Sequence, residues 1–138
     1  MNLKRSVKKD NMCFACGEEN EISLGLKFKF GNKESTIVKA EFTPQEVHQG
    51  FQEIMHGGLI STLLDEAMAK VVYMNGIEAV TAEMTTRFKK PVPIGTNLII
   101  KGILEKNHGR LIKTSSELKG DSGQLYAEAR AKFMKVTN

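Results

Sequence analysis

Met55-His56-Gly57-Gly58-Leu59-Ile60-Ser61-Thr62-Leu63-Leu64-Asp65-Glu66-Ala67 passes from a polar loop into a helical pattern within three residues. Apolar residues at 59, 60, 63, 64, 67, 68, 71 and 72 have the spacing of a helix with one buried stripe. This predicts a helix from Gly57 or Gly58 to about Met74, where Asn75-Gly76 supplies a stop. Two glycines in the first turn cost helix stability. One compensation is close approach of a ligand to bare backbone N–H groups, which point outward and carry partial positive charge. A plain glycine-containing cap, with His56 as a polar loop residue, satisfies the same pattern. Asp65 lies roughly two turns beyond Gly58 and so shares a face with Gly58, Ser61, Thr62 and Ala69. An acid among small residues is either solvated or lines a groove. In the second case Gly57 and Asp65, about 12 Å apart along one helix, are too distant to act on one small group. A site using both takes the amide from one subunit and the carboxylate from another, related by a two-fold axis.

Outward from the helix, the chain reads as strands. Ile22 to Phe30 alternates as a half-buried strand, Gly31-Asn32-Lys33 turns, and Ser35 to Thr43 alternates again, so the two form a hairpin. Pro44 ends it. The loop to Met55 carries Gln45, His48, Gln49, Gln52 and Glu53 toward the helix start, where they can contact substrate. After the helix come strands over Ala79 to Lys90, Thr96 to Lys106, Leu111 to Lys119 and Gln124 to Val136. Pro91 and Pro93 close the first, and Gly102 is the candidate for a bulge in the second. Asn107-His108-Gly109 and Gly120-Asp121-Ser122-Gly123 are turns, which makes His108 a turn residue and not a catalyst. Successive hairpins with one long helix predict an α+β domain over residues 13–138, preceded by a basic, flexible segment over residues 1–12.

The 138 residues, 41% hydrophobic and 26% charged, are ordinary for a soluble globular protein. No apolar run reaches the length of a membrane span, and the N-terminus has no hydrophobic stretch of a secretory signal, so no membrane partner and a cytoplasmic location are expected. A net charge of +4 suits either nucleic acid or an anionic ligand with several phosphates. No helix-turn-helix, zinc finger or aromatic-basic strand supports nucleic acid, and none is expected as a partner. Cys13-Phe14-Ala15-Cys16-Gly17 is a single Cys-x-x-Cys. A tetrahedral zinc site needs two more ligands, for which the sequence offers His48, His56 and His108. A redox role belongs in a βαβ context, and this segment precedes a hairpin. Structural packing is the expectation, with no metal and no cofactor.

His56-Gly57-Gly58 with Asp65 inside Leu63-Leu64-Asp65-Glu66 resembles the motif of the hotdog-fold acyl-CoA thioesterases, nearest the branch of the phenylacetate-pathway enzymes. Val80 to Gly95 resembles the second strand of that fold and its following turn, and Cys-Phe-x-Cys-Gly near the start occurs in some members. The likeness runs from about Cys13 to Val136. It implies an antiparallel sheet wrapped around one long helix, a homodimer at least and a dimer of dimers as the larger assembly, and an acyl-CoA substrate. It implies that the Gly57 amide polarises the thioester carbonyl, that Asp65 attacks it or activates water, and that His56 positions the carbonyl or the loop. Gly58 would line the substrate site. Where the family often has an Asn six residues before the His, this chain has Gly50, which leaves Gln49 or Gln52 to orient the water. The family's strand position for Ser or Thr is read here as Glu83, flanked by Thr81 and Thr85. A second carboxylate beside Asp65 would raise the pKa of one of the two; a solvated strand residue is the alternative. Arg87, Lys89 and Lys90 fall where relatives meet the CoA phosphates, and alternation sends Arg87 and Lys89 to one face. A lysine-bearing sheet surface reads the same way. The dehydratase elements Asp-x-Asn-Pro-x-His and His-Phe-Pro-Gly are absent. A non-catalytic acyl-CoA-binding or sensing module of the same fold remains the alternative.

Overall fold

The computed structural model describes residues 11–136. The basic segment expected over residues 1–12 therefore lies outside the described residues as far as residue 10. Its last two residues are not a loose tail. Asn11 O accepts from Glu19 N at 3.0 Å, and Met12 O accepts from Asn20 Nδ2 at 3.2 Å.

The elements are β1 (Lys29–Phe30), β2 (Ile37–Phe42), α1 (Gly57–Tyr73), β3 (Ala79–Phe88), β4 (Leu98–His108), β5 (Leu111–Gly120) and β6 (Leu125–Lys135), with a short 3-10 turn at Glu46–His48. The strands form one antiparallel sheet in the order β1-β2-β4-β5-β6-β3. One long helix lies against it, the hotdog arrangement. The stripe Ile60, Leu63, Leu64, Ala67, Met68, Val71 and Val72 is buried as its spacing demands. It packs on Val38, Ile100, Ile112, Leu118 and the inward row Ala127, Ala129, Ala131 and Phe133. Among the described residues no helix is long and apolar enough to cross a membrane.

Three differences from the sequence reading have physical causes. Residues 22–28 keep their alternation, with Leu24 and Leu26 buried, but are not a strand. Gly25 adopts φ 67°, which breaks the strand, and Leu24 N and Leu26 N donate to Phe14 O and Ala15 O instead. Secondly, β3 and β4 are not a hairpin. The connection between them runs past the helix start, where Met55 N donates to Val92 O at 2.8 Å and Ile54 bridges Pro93. So β3 pairs only with β6 among the described strands, and its other edge is open.

The third concerns Gly102, which is not a bulge. The register shifts fall at Thr81/Glu83, Leu104/Lys106 and Leu118/Lys119. Gly102 is where the helix backbone meets the sheet: a Cβ there would overlap the Ala67 carbonyl. Its neighbours across the sheet, Ser116 and then Ala129, are also small, so a row of short side chains lets α1 lie close. Gly102→Ala must push backbone against backbone, and a loss of at least about 2 kcal/mol is expected in urea denaturation. An unchanged urea midpoint would show that the helix has room to retreat.

Candidate functional site

An α-helix starts with four N–H groups that lack intrahelical partners. In α1, His56 takes up two of them, those of Gly58 and Leu59, and its own N–H is a third. Its Nδ1 accepts from Gly58 N at 2.9 Å, and its carbonyl accepts from Leu59 N at 3.0 Å and Ile60 N at 3.1 Å. The cap is held from behind, because His56 N donates to His48 O at 2.9 Å. The remaining donor, Gly57 N–H, has no partner among the described residues. The His56 bond also fixes chemistry. A neutral imidazole that accepts at Nδ1 carries its proton on Nε2, so the exposed ring offers a second N–H.

The two glycines serve different ends. At Gly58 a Cβ would stand 3.0 Å from His56 Cε1 and Nδ1, so Gly58 makes room for the capping ring. Its amide is consumed by that cap, and the expectation that Gly58 lines the substrate site loses its donor. At Gly57 a Cβ would meet nothing closer than the Phe88 ring, 3.7 Å away. Packing within the chain does not require glycine there. Gly50 lies against His56, where a Cβ would come within 3.0 Å of its Cα. A side chain at that position would press on the capping residue, so Gly50 lets the loop lie close against His56.

Asp65 is half-buried beside the apolar stripe, and Thr81 Oγ1 donates to its Oδ1 across 3.5 Å. Burial raises the Asp65 pKa above the ordinary carboxylate value, and the Thr81 hydroxyl pulls weakly the other way. The helix thus runs along the open edge strand, with Gly57 at the Phe88 end of β3 and Asp65 at the Thr81 end.

Glu83 is not a partner of Asp65. Strict alternation puts Thr81, Glu83, Thr85 and Arg87 on one face, but the bulge between Thr81 and Glu83 breaks the parity. Thr81 pairs with Phe133 and turns inward to the helix; Glu83, Thr85 and Arg87 pair with Lys132, Arg130 and Glu128 and turn outward. The hydroxyl beside Asp65 is therefore that of Thr81. On the outer face Lys89 Nζ stands 3.6 Å from Glu128 Oε1, opposite Arg87, so Arg87 and Lys89 do share a face, while Lys90 is exposed. A groove of about 760 Å³ on that outer face, lined by Glu83, Arg87, Lys113, Glu128 and Arg130 among others, lies across the sheet from Asp65 and Gly57.

Gln49 is committed to its loop, with Nε2 donating to Glu46 O at 3.0 Å and Oε1 accepting from Glu53 N at 2.6 Å. Gln52 is exposed in the turn before the helix. His48 holds the same loop: its Nδ1 accepts from Gln45 N at 2.8 Å, its ring packs on Phe42, and burial lowers its pKa. Cys16 is no nucleophile, since burial first and the Glu66 charge second push its thiol up to about 12. The sequence reading missed Phe88, whose inward direction depends on the bulge, and the contact of Gly50 with His56.

Residues 52–127 match the family model described as Thioesterase superfamily. A relative from Xenopus laevis, acyl-coenzyme A thioesterase THEM4, is 35% identical over 109 residues, 78% of this chain and 49% of its own length. The chain spans about half the length of the curated relatives it matches. The crystal structure of a thioesterase superfamily protein superposes with TM-score 0.84 at 25% identity, covering 91% of this chain and 61% of that one. The E. coli PaaI protein from the phenylacetic acid degradation operon shares the fold, with TM-score 0.74 at 20% identity over 81% of this chain and 84% of its own.

Proposed function

The chain belongs to the thioesterase superfamily, and from that premise we propose that it hydrolyses an acyl-CoA thioester at a site shared by two subunits. The observation that carries this is the free Gly57 N–H and the half-buried Asp65 carboxylate at opposite ends of one open edge strand. The thioester carbonyl sits at the Gly57 N–H, with the helix dipole and the His56 Nε2–H adding to the field. Water attacks the carbonyl carbon as Asp65 of the partner subunit takes its proton, and the negative charge on oxygen is met by donors already in place. The C–S bond then breaks, and CoA leaves as thiolate and takes up a proton. Direct attack by Asp65 would instead form an anhydride that water opens. In this reading Thr81 orients the carboxylate, the exposed Gln52 holds the water, and Lys90, outside the Lys89–Glu128 pair, meets a CoA phosphate.

The pairing of the two chains follows from β3. Residues directly opposite in an antiparallel pair share a face. A second copy added to the open edge, with the two-fold at Thr85, sets outward Glu83 against outward Arg87 of the partner subunit. With Ala82 as the extra residue of the bulge, the next pair is inward Thr81 against the partner's Phe88. Asp65 of one chain then meets Gly57 of the other. Each single charge reversal, Glu83→Arg or Arg87→Glu, is expected to weaken the homodimer about tenfold in sedimentation, since two like-charged pairs face each other. The double reversal should restore it, and a double variant no tighter than the singles would rule out this register. This pairing makes a homodimer the smallest active unit. A dimer of dimers as the larger assembly and a cytoplasmic location belong to the same proposal and rest on the family resemblance and the expectation from sequence. The activity itself is tested by free CoA release from a panel of acyl-CoAs of varied length and aromatic character. Binding of the panel without release would make the protein an acyl-CoA sensor instead.

A further inference from the structure

The hydrolytic site leaves Cys13-Phe14-Ala15-Cys16-Gly17 without a role. We propose that Cys13, Cys16 and Glu66 form a zinc site that clamps the N-terminal turn to α1. Their two Sγ atoms and a Glu66 carboxylate oxygen lie within 4.8 Å of one another, and all three residues are half-buried. Zinc–sulfur bonds of about 2.3 Å at a tetrahedral angle hold two sulfurs about 3.8 Å apart. The donor atoms are thus already gathered on the scale of such a site, on a backbone that is already wound.

The winding is visible around Gly17. Its N–H donates to Cys13 O at 2.7 Å, and a Cβ on it would overlap Asn11 O and crowd Cys13 N. Only glycine closes this turn. Between the cysteines, Ala15 is buried, and the Phe14 and Ala15 carbonyls accept from Leu24 N at 2.8 Å and Leu26 N at 3.0 Å. The backbone that carries both thiols is thus held from two sides, beside the helix turn that carries Glu66.

The donor set chooses the ion. Zinc displaces both thiol protons to solvent as it binds. The two thiolates are too soft for magnesium or calcium, and a compact set of sulfur and carboxylate ligands suits tetrahedral zinc, with water as the fourth ligand. Three anionic ligands outweigh a divalent cation, and Lys70 Nζ, 3.7 Å from Glu66 Oε1, supplies the balancing charge. The histidines offered by the sequence do not contribute: His48 and His56 are bound in the loop and the cap, and His108 ends β4. Glu66 is turned about 100° from Asp65 on the helix, so the ion braces the helix beside the acid and touches no substrate.

The test uses the full chain without a histidine tag, purified from zinc-supplemented medium under reducing conditions. Elemental analysis should find about one zinc per chain, and cobalt exchanged for it should show thiolate-to-metal charge transfer. Cys13→Ser with Cys16→Ser should abolish both signals, and Glu66→Gln should weaken zinc at least about tenfold. A chelator should lower the wild-type Tm and leave that of the double-serine variant unchanged. Zinc well below stoichiometric in wild type with both thiols reactive, a Cys13–Cys16 disulfide in the reduced preparation, or zinc retained by the double-serine variant would each overturn the proposal.

Discussion

Asp65→Asn is expected to lower CoA release by at least about a hundredfold, the smaller end of a general-base contribution, while acyl-CoA binding persists. The side chain keeps its size and its contact with Thr81 but loses the charge that accepts a proton. Wild-type activity should fall as the pH drops through the raised Asp65 pKa. The same burial sets an opposite expectation for stability. A carboxyl whose folded pKa lies above its unfolded value binds more protons when folded, so its contribution is favourable at low pH and is lost as pH rises through the folded pKa. At neutral pH the wild type therefore carries a desolvated charge that the Asn variant lacks. The variant should melt no lower than wild type at pH 7, and its advantage should shrink as the pH approaches that of free carboxylates. Loss of activity together with a lower Tm at pH 7 would make Asp65 a structural residue.

Gly57→Pro should match that loss by deleting the other half of the site. Proline has no N–H, and the first position of a helix tolerates it. His56, at φ −60° and ψ 130°, is already extended and outside the α region that a following proline disfavours. The helix should therefore start unchanged, without its free donor. Removal of one oxyanion donor is worth about 10²–10³ in kcat. The decisive measurement mixes the two inactive proteins after reversible dissociation. A heterodimer of Asp65→Asn and Gly57→Pro rebuilds one intact site from the good halves of each. Random reassociation gives one half heterodimers, hence about a quarter of wild-type activity. No recovery from verified heterodimers would mean that each chain carries its own complete site.

The helix was legible because its stripe is local: eight apolar positions at helical spacing need no knowledge of the rest of the chain, and all but Leu59 are fully buried. The glycine pair at its start and the acid beside the stripe are local features too, visible without the rest of the chain. What the sequence hid depends on contacts between distant segments. Gly102 reads as a strand glycine until the Ala67 carbonyl is laid over it. Glu83 reads as a neighbour of Asp65 until one extra residue reverses the faces of β3. A bulge leaves no compositional mark, and every side-chain direction before it is affected. The Cys pair lies about fifty residues from Glu66, so spacing along the chain gives no sign that the fold sets a carboxylate beside it.

The close approach at Gly102 also makes the helix a lever. Its fulcrum is Ala67, about 3 Å along the axis from Asp65 and about 15 Å from Gly57. A tilt of about 5° about that contact would shift the acid by about 0.3 Å and the amide by about 1.3 Å. Misplacement of about 1 Å is enough to cost roughly a hundredfold in rate. The carboxylate is thus insensitive to small rocking of α1, while the amide end has little tolerance and depends on the His48–His56 bracing at the far end of the arm. Changes in the loop before the helix should then act on carbonyl polarisation and spare the proton transfer.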